Sequence, residues 1–236
     1  MRKSALILAP HPDDESITGL LPLRLREEGG FRVEVLPATL GSRPDRRFAR
    51  CKELKAACRV LGFRVAALET DSEGRTAPSA LIRRLQTARP DVMFLPHALD
   101  GHVTHQWTHR MGVAAMDATG GAFYVVETEY WHPLRHPNLM VTADACNLET
   151  LQTALAQHVG EVARNEYAAR LPAWMVDNVR RGAELIGGAG SAAPAAAYAT
   201  LYRLRKRQGG KWHSFLRQGC LIESSGDLAG LISSWV

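Results

Sequence analysis

Residues 5–40 read ALILAPHPDDESITGLLPLRLREEGGFRVEVLPATL, a strand, a helix and a second strand in succession. Ala5 to Ala9 is a continuous apolar run ended by Pro10, the pattern of a strand buried on both faces. Ile17, Leu20, Leu21 and Leu25 then recur at helical spacing up to Gly29-Gly30, which supply a C-terminal stop. Val33 to Leu40 predicts the second strand.

The alternation continues along the chain. Pro44 to Leu61 reads as a helix closed by Gly62, Arg64 to Leu68 as a third strand, and Pro78 to Ala88 as a helix after the loop Glu69 to Ala77. Val92 to Pro96, Thr104 to Ala118 and Ala122 to Thr128 predict strand, helix and strand. Short links between alternating elements imply an α/β fold, a Rossmann-like doubly wound and mostly parallel sheet with helices on both faces. With the common strand order 3-2-1-4-5, the first and fourth strands are neighbours and leave a crevice outside their carboxyl ends. After Pro137 the pattern loosens: Leu139 to Ala143 predicts a strand, Leu148 to Ala163 a helix and Leu185 to Ala197 a loop. No composition break marks a second domain. The expectation is a single domain over 1–236, with a core at 1–128 and a less regular part at 129–236 that shapes the substrate site.

The chain has 236 residues, 46% of them hydrophobic, enough to bury a core without disulfide or metal staples. Its apolar runs fall far short of the roughly 18–20 residues of a membrane helix, and the run before Pro10 is too short to be expected to act as a signal peptide. Cys51, Cys58, Cys146 and Cys220 are dispersed, as for thiols in a reducing cytoplasm, which is the expected location. The formal charge of +5 raises a nucleic-acid reading through Arg43 to Arg59 and Tyr202 to Lys211. In the first cluster, however, Phe48, Leu54, Ala57, Cys58 and Leu61 form a helical stripe that makes the arginines its solvated face. Neither cluster interleaves aromatics for base stacking, and no nucleic-acid partner is expected.

Two polar clusters stand at the strand ends where such a sheet places ligands. The first is His11 to Glu15 (HPDDE), opening the first helix. Proline and acids in a first helical turn also satisfy free amides and the helix dipole, but His11 and Asp14, three residues apart, supply half of a metal site. Zinc is the metal such a set favours, with three His or carboxylate ligands and one open position. The second cluster is His97 to His109 (HALDGHVTHQWTH), which brings His102, His105 and His109. Gln106 stands where the glutamate of an H-E-x-x-H metalloprotease helix would be, so that chemistry fails and His109 is read as a surface or supporting residue. His97, His132, His136, His158 and His213 lack ligand spacing and read as hydrogen-bonded or exposed.

Ala9-Pro10-His11-Pro12-Asp13-Asp14-Glu15, Arg50-x-x-Glu53 with Leu61-Gly62, and Asp100-Gly101-His102-x-x-His105 together resemble the PIG-L (LmbE-like) zinc-dependent N-deacetylases, over roughly Ala5 to Gly112. The resemblance implies His11, Asp14 and His105 as zinc ligands, Asp13 as the base acting on water at the metal, and His102 facing the substrate carbonyl. It further implies Arg50, Asp71 and Glu15 at the substrate, an N-acetylated amino sugar or its conjugate. The family's His-Pro-Asp-His reads His102-Val103-Thr104-His105 in this chain, so the carboxylate that would orient and charge the catalytic histidine is missing. A weakly catalytic sugar- or metal-binding homologue is the alternative this departure raises. Arg43, Arg46, Arg47 and Arg135 near the entrance point to an anionic group on the substrate, and Tyr130 and Trp131 to a stacking surface for a sugar. Homo-oligomerisation is left open.

Overall fold

The computed structural model describes residues 3–216, 218–224, 226 and 228–233. The first half runs β1 (Ser4–Ala9), α1 (Asp14–Ile17), α2 (Leu20–Glu27), β2 (Arg32–Pro37), α3 (Pro44–Leu61), β3 (Arg64–Val65), α4 (Pro78–Ala88), β4 (Val92–Pro96), α5 (Val103–Thr119) and β5 (Ala122–Thr128). The second half adds β6 (Leu139–Ala143), α6 (Ala145–Leu155), α7 (Val159–Val162), α8 (Tyr167–Gly187), β7 (Tyr198–Gln208), β8 (Lys211–Ser214), β9 (Cys220–Ile222) and α9 (Leu228–Ser233). One sheet has the order β3-β2-β1-β4-β5-β7-β6-β9, with β8 paired to β7. Strands β1 to β5 are parallel in the expected 3-2-1-4-5 order, and β7 enters antiparallel to both β5 and β6.

Strand pleating divides the core between the two faces. Ala5, Ile7 and Ala9 pack with leucines of α2, α3 and α6 on one face. Leu6 and Leu8 pack with Leu81, Leu85, Met111 and Met116 of α4 and α5 on the other. That two-sided burial is why β1 is apolar from Ala5 to Ala9. Helix α3 ends at Gly62, whose φ of 66° is the left-handed conformation a Cβ disfavours. Among the described residues, no helix is long and apolar enough to cross a membrane.

Several elements differ from their sequence pattern for tertiary reasons. The single helix expected around Ile17 to Leu25 is broken at Thr18-Gly19 into α1 and α2. Tyr202 of β7 fills the break: its hydroxyl donates to Thr18 O at 3.0 Å and accepts from Leu21 N at 3.1 Å. Tyr202→Phe is therefore expected to lower unfolding free energy by about 1–3 kcal/mol, measured by urea titration, because two buried backbone groups lose their partner. The third strand stops at Val65 because the chain turns into a small hairpin, with bridges Thr39–Arg75 and Thr70–Thr76. The helix expected over 148–163 is interrupted between α6 and α7, at His158. Residues 185–187 belong to α8, with the expected loop following. Leu54, Ala57, Cys58 and Leu61 are buried as the stripe required, but Phe48 is 73% exposed and lies under the Lys52 ammonium instead.

Candidate active site

Strand order reverses between β1 and β4, and the two polar clusters meet in the crevice beyond their carboxyl ends. His11, Asp14 and His105 present ligand atoms that all lie within 4.8 Å of one another. Asp14 Oδ2 is the hub, 3.4 Å from His11 Nδ1 and 3.5 Å from His105 Nε2, and it accepts the His11 amide at 2.8 Å. His105 Nε2 is buried without a hydrogen-bond partner, and its other nitrogen, Nδ1, faces Asp100 Oδ2 at 3.3 Å. An orphaned ring nitrogen aimed at a carboxylate, on a ring oriented from behind by a second carboxylate, is what a metal-ligating histidine needs. The residues therefore fit a divalent cation such as zinc.

The charges of these groups are interdependent. Burial opposes ionisation of Asp14, yet His105 and His11 outweigh it and hold the carboxyl at about 2. Burial likewise opposes charge on His105, but Asp14 and Asp100 together push its pKa above the ordinary value. Asp13, which lines the same cavity, is pushed the other way: burial first and then Asp14 hold its pKa well above the aspartate range.

Asp13 has φ 129° and ψ −32°, a conformation that costs an L-residue about 1–3 kcal/mol. Its surroundings hold it there. Its amide donates to Glu15 Oε2 at 2.9 Å, its carbonyl accepts from Ser16 N and Ile17 N, and Arg50 Nη2 grips the preceding Pro12 carbonyl at 3.1 Å. Glu15 is itself fully buried, accepting from the Ser16 hydroxyl at 2.9 Å and from His158 Nε2 at 2.7 Å. Glu15 is absent from the cavity lining, so its position is that of a support beneath Asp13 rather than of a substrate contact.

His102 is the N-cap of α5, and its Nδ1 accepts from the Thr104 amide at 3.2 Å. That bond leaves the proton on Nε2. Burial, then His11 and His105, hold its pKa below the ordinary value, so the ring is a neutral donor. Asp100 Oδ1 accepts the His102 amide at 2.9 Å, so a single carboxylate orients both histidine segments.

These groups share a cavity of about 910 Å³, which also exposes Arg47, Arg50, Trp131 and Tyr167. That volume suits a ligand of several rings. Arg50 has a second contact, Nη2 to Glu161 Oε1 at 3.4 Å. Asp71 does not line the cavity; its Oδ1 accepts from Glu73 N and Arg75 N, capping its own turn. Of the four arginines read at the entrance, Arg47 alone lines this cavity; Arg43 pairs with Asp45, Arg46 with Glu53, and Arg135 faces elsewhere. Trp131 reaches the lining, whereas Tyr130 is packed against Trp131, Trp174 and Tyr167. His109 is buried rather than on the surface, donating from Nδ1 to Pro96 O at 2.9 Å. Asp100 was visible in the Asp-Gly-His run; Glu161 and Tyr167 carried no signal of their own, since only chain return from the second half places them here.

The architecture recurs in solved structures. The 4-carboxy-2-hydroxymuconate hydratase GalB of Pseudomonas putida is 19% identical, with TM-score 0.68 over 86% of this chain and 95% of that one. A conserved protein of Thermus thermophilus is 20% identical, with TM-score 0.61 over 86% and 94%. The N,N'-diacetylchitobiose deacetylase of Pyrococcus horikoshii is 15% identical, with TM-score 0.61 over 86% and 84%. At these identities the likeness is one of fold. No curated protein sequence matches the chain. Residues 6–116, the segment that holds His11, Asp13, Asp14, Arg50, His102 and His105, match the PIG-L family, GlcNAc-PI de-N-acetylase.

Proposed function

We propose that this chain is a zinc-dependent N-deacetylase of the PIG-L type, cleaving the acetamide of an N-acetylglucosamine-type sugar or its conjugate. The observation that carries the reading is the convergence of His11, Asp14 and His105 with Asp13 and His102 on one cavity large enough for such a sugar. Zinc held by the three ligands would supply Lewis acidity and bring the pKa of water down toward ~7. Asp13, buried and held in a fixed backbone conformation, serves as the base that takes the water proton and returns it to the departing amine. His102 donates a hydrogen bond from Nε2–H to the oxygen that gains charge as the carbonyl is attacked. Because it is neutral, it contributes as a fixed hydrogen-bond donor and not as an acid. Arg50 holds the Asp13 loop from the side, and Trp131 offers an apolar ring at the sugar's rim.

His102→Ala is expected to lower kcat by about 10²–10³ with metal content unchanged, the cost of one oxyanion donor. Parallel kcat and metal assays check it; an unaltered rate would remove His102 from the mechanism.

One observation favours a second reading. Arg47 lines the cavity with its guanidinium on the Gly41 and Ser72 carbonyls and no carboxylate partner among the described residues. An unneutralised arginine would suit a substrate bearing a carboxylate, as hydration of an unsaturated acid requires. The deciding experiment is a panel of N-acetylglucosaminides assayed for amine release beside unsaturated carboxylic acids assayed for loss of conjugated absorbance, each with and without chelator. Amine release abolished by chelator supports deacetylation; hydration alone supports the second reading. Activity indifferent to chelator overturns the metal-dependent mechanism.

A further inference from the structure

A second cavity, of about 260 Å³, opens between α5, β5, β7 and the turn at Pro133 to His136. The proposed deacetylation makes no use of it. His97 lines it, while Asp100 of the same loop turns to His105.

Its charge balance is unusual. The one carboxylate in the lining, Glu127, is buried and pairs through one oxygen with Arg205, whose Nη2 donates to Oε1 at 2.6 Å, while Oε2 has no hydrogen-bond partner among the described residues. Register places Arg203, not Arg205, directly across from Glu127 on β7, so the diagonal pairing leaves Arg203 without a carboxylate among the described residues. Arg135, on the facing turn, is also without one. Arg205 and Arg207 lie over the Trp212 ring at 3.8 and 5.1 Å from its centroid, and Arg207 is spent on Asp117. Arg205 Nε is buried and has no acceptor. His109 and His136 complete the polar wall.

The guanidinium groups of Arg135 and Arg203 thus line one small cavity without a salt bridge to a carboxylate among the described residues. One of them, Arg203, is half-buried, where water screens it less than on an open surface. Guanidinium forks match carboxylate and phosphate oxygens in pairs. The volume lies below the ~300–1,000 Å³ common for larger organic ligands, which excludes a nucleotide or an oligosaccharide as the enclosed group. We propose that this cavity binds a small multivalent oxyanion, phosphate or a short dicarboxylate, between Arg135 and Arg203. The site is separate from the metal-ligand cluster, and the proposal does not depend on the reaction assigned to that cluster.

Trp212 supplies a local reporter. Full-length, metal-loaded protein is titrated with inorganic phosphate and, separately, with malonate at constant ionic strength set by chloride, followed by tryptophan fluorescence and by calorimetry. Saturable binding of at least one anion is expected, with the fluorescence change lost in Trp212→Phe while the calorimetric binding persists. Arg203→Ala and Arg135→Ala should each weaken Kd by tenfold or more, and Arg203→Lys by less. Preference for phosphate or malonate names the source of the oxyanion. Absence of saturable binding by both anions overturns the proposal. So does binding that is unchanged in Arg203→Ala and Arg135→Ala, or that disappears in Arg47→Ala instead, which would assign the anion to the large cavity. Arg135 lies on an exposed turn, so its variant remains decisive if the β7 substitution fails to fold.

Discussion

Asp13→Asn keeps the metal of the wild-type chain and loses about 10²–10⁴ of its amide-cleaving rate, the contribution of a positioned general base. The substitution isolates proton transfer for a conformational reason. Asp13 sits at φ 129°, and asparagine is among the few residues that tolerate positive φ. The amide bond to Glu15 Oε2 and the carbonyl contacts with Ser16 and Ile17 involve backbone atoms, which Asn leaves intact. Burial and Asp14 raise the Asp13 pKa, and an amide side chain at that point also relieves repulsion with Asp14, so folding stability should not fall. Metal stoichiometry, urea midpoint and kcat are measured on the same preparation. Loss of metal in step with activity would make Asp13 a ligand and leave the reaction without its assigned base.

His105→Ala abolishes both metal binding and turnover, and Asp100→Asn lowers metal affinity about 10–100-fold while leaving the ligand atoms in place. The first follows from the orphaned Nε2, which has no role in the chain's own hydrogen bonding. The second follows from the 3.3 Å contact of Asp100 with Nδ1, which fixes the ring. A proton count accompanies metal uptake. With His105 raised above its ordinary pKa and Asp14 held at about 2, the metal-free pair is an imidazolium beside a carboxylate at any pH between the two pKa values. The cation must displace that proton, so metal affinity falls as pH drops below the His105 pKa, and protons released per metal decline above it. Titration in weakly buffered solution with a pH indicator measures both. A pH-independent affinity, or normal metal content in His105→Ala, would contradict the ligand set.

Much of the crevice was legible before any coordinates. The continuous apolar run of Ala5 to Ala9, the stop at Gly62 and the alternation through Thr128 lead to the parallel order, because local hydrophobic patterning and short connections admit few topologies. That His11 to Glu15 and the segment with His102 and His105 would meet was legible for a related reason, since both stand directly after strands that this order makes neighbours, whereas the roles given to Asp13, His102 and His105 came from the family resemblance. The second half was less legible. Tyr198 to Gln208 alternates basic and apolar residues, and its charges read as a cluster until β7 is seen inserted between β5 and β6 with Arg205 and Arg207 paired to Glu127 and Asp117.

The pattern of residues along the chain therefore determined which segments become strands and helices, their order in the parallel half of the sheet, and which side chains gather at its carboxyl edge. Those properties depend on spacing, which a linear string records. Three others were settled by packing at long range. Glu15 became a buried support because His158, far along the chain, reaches it. His102 became a neutral donor because burial, then His11 and His105 beside it, lower its pKa. Arg203 was left without a carboxylate partner among the described residues because Glu127 bonds diagonally to Arg205. Each rests on which of several chemically suitable partners lies within hydrogen-bond reach, and that depends on distances and angles a linear string does not record.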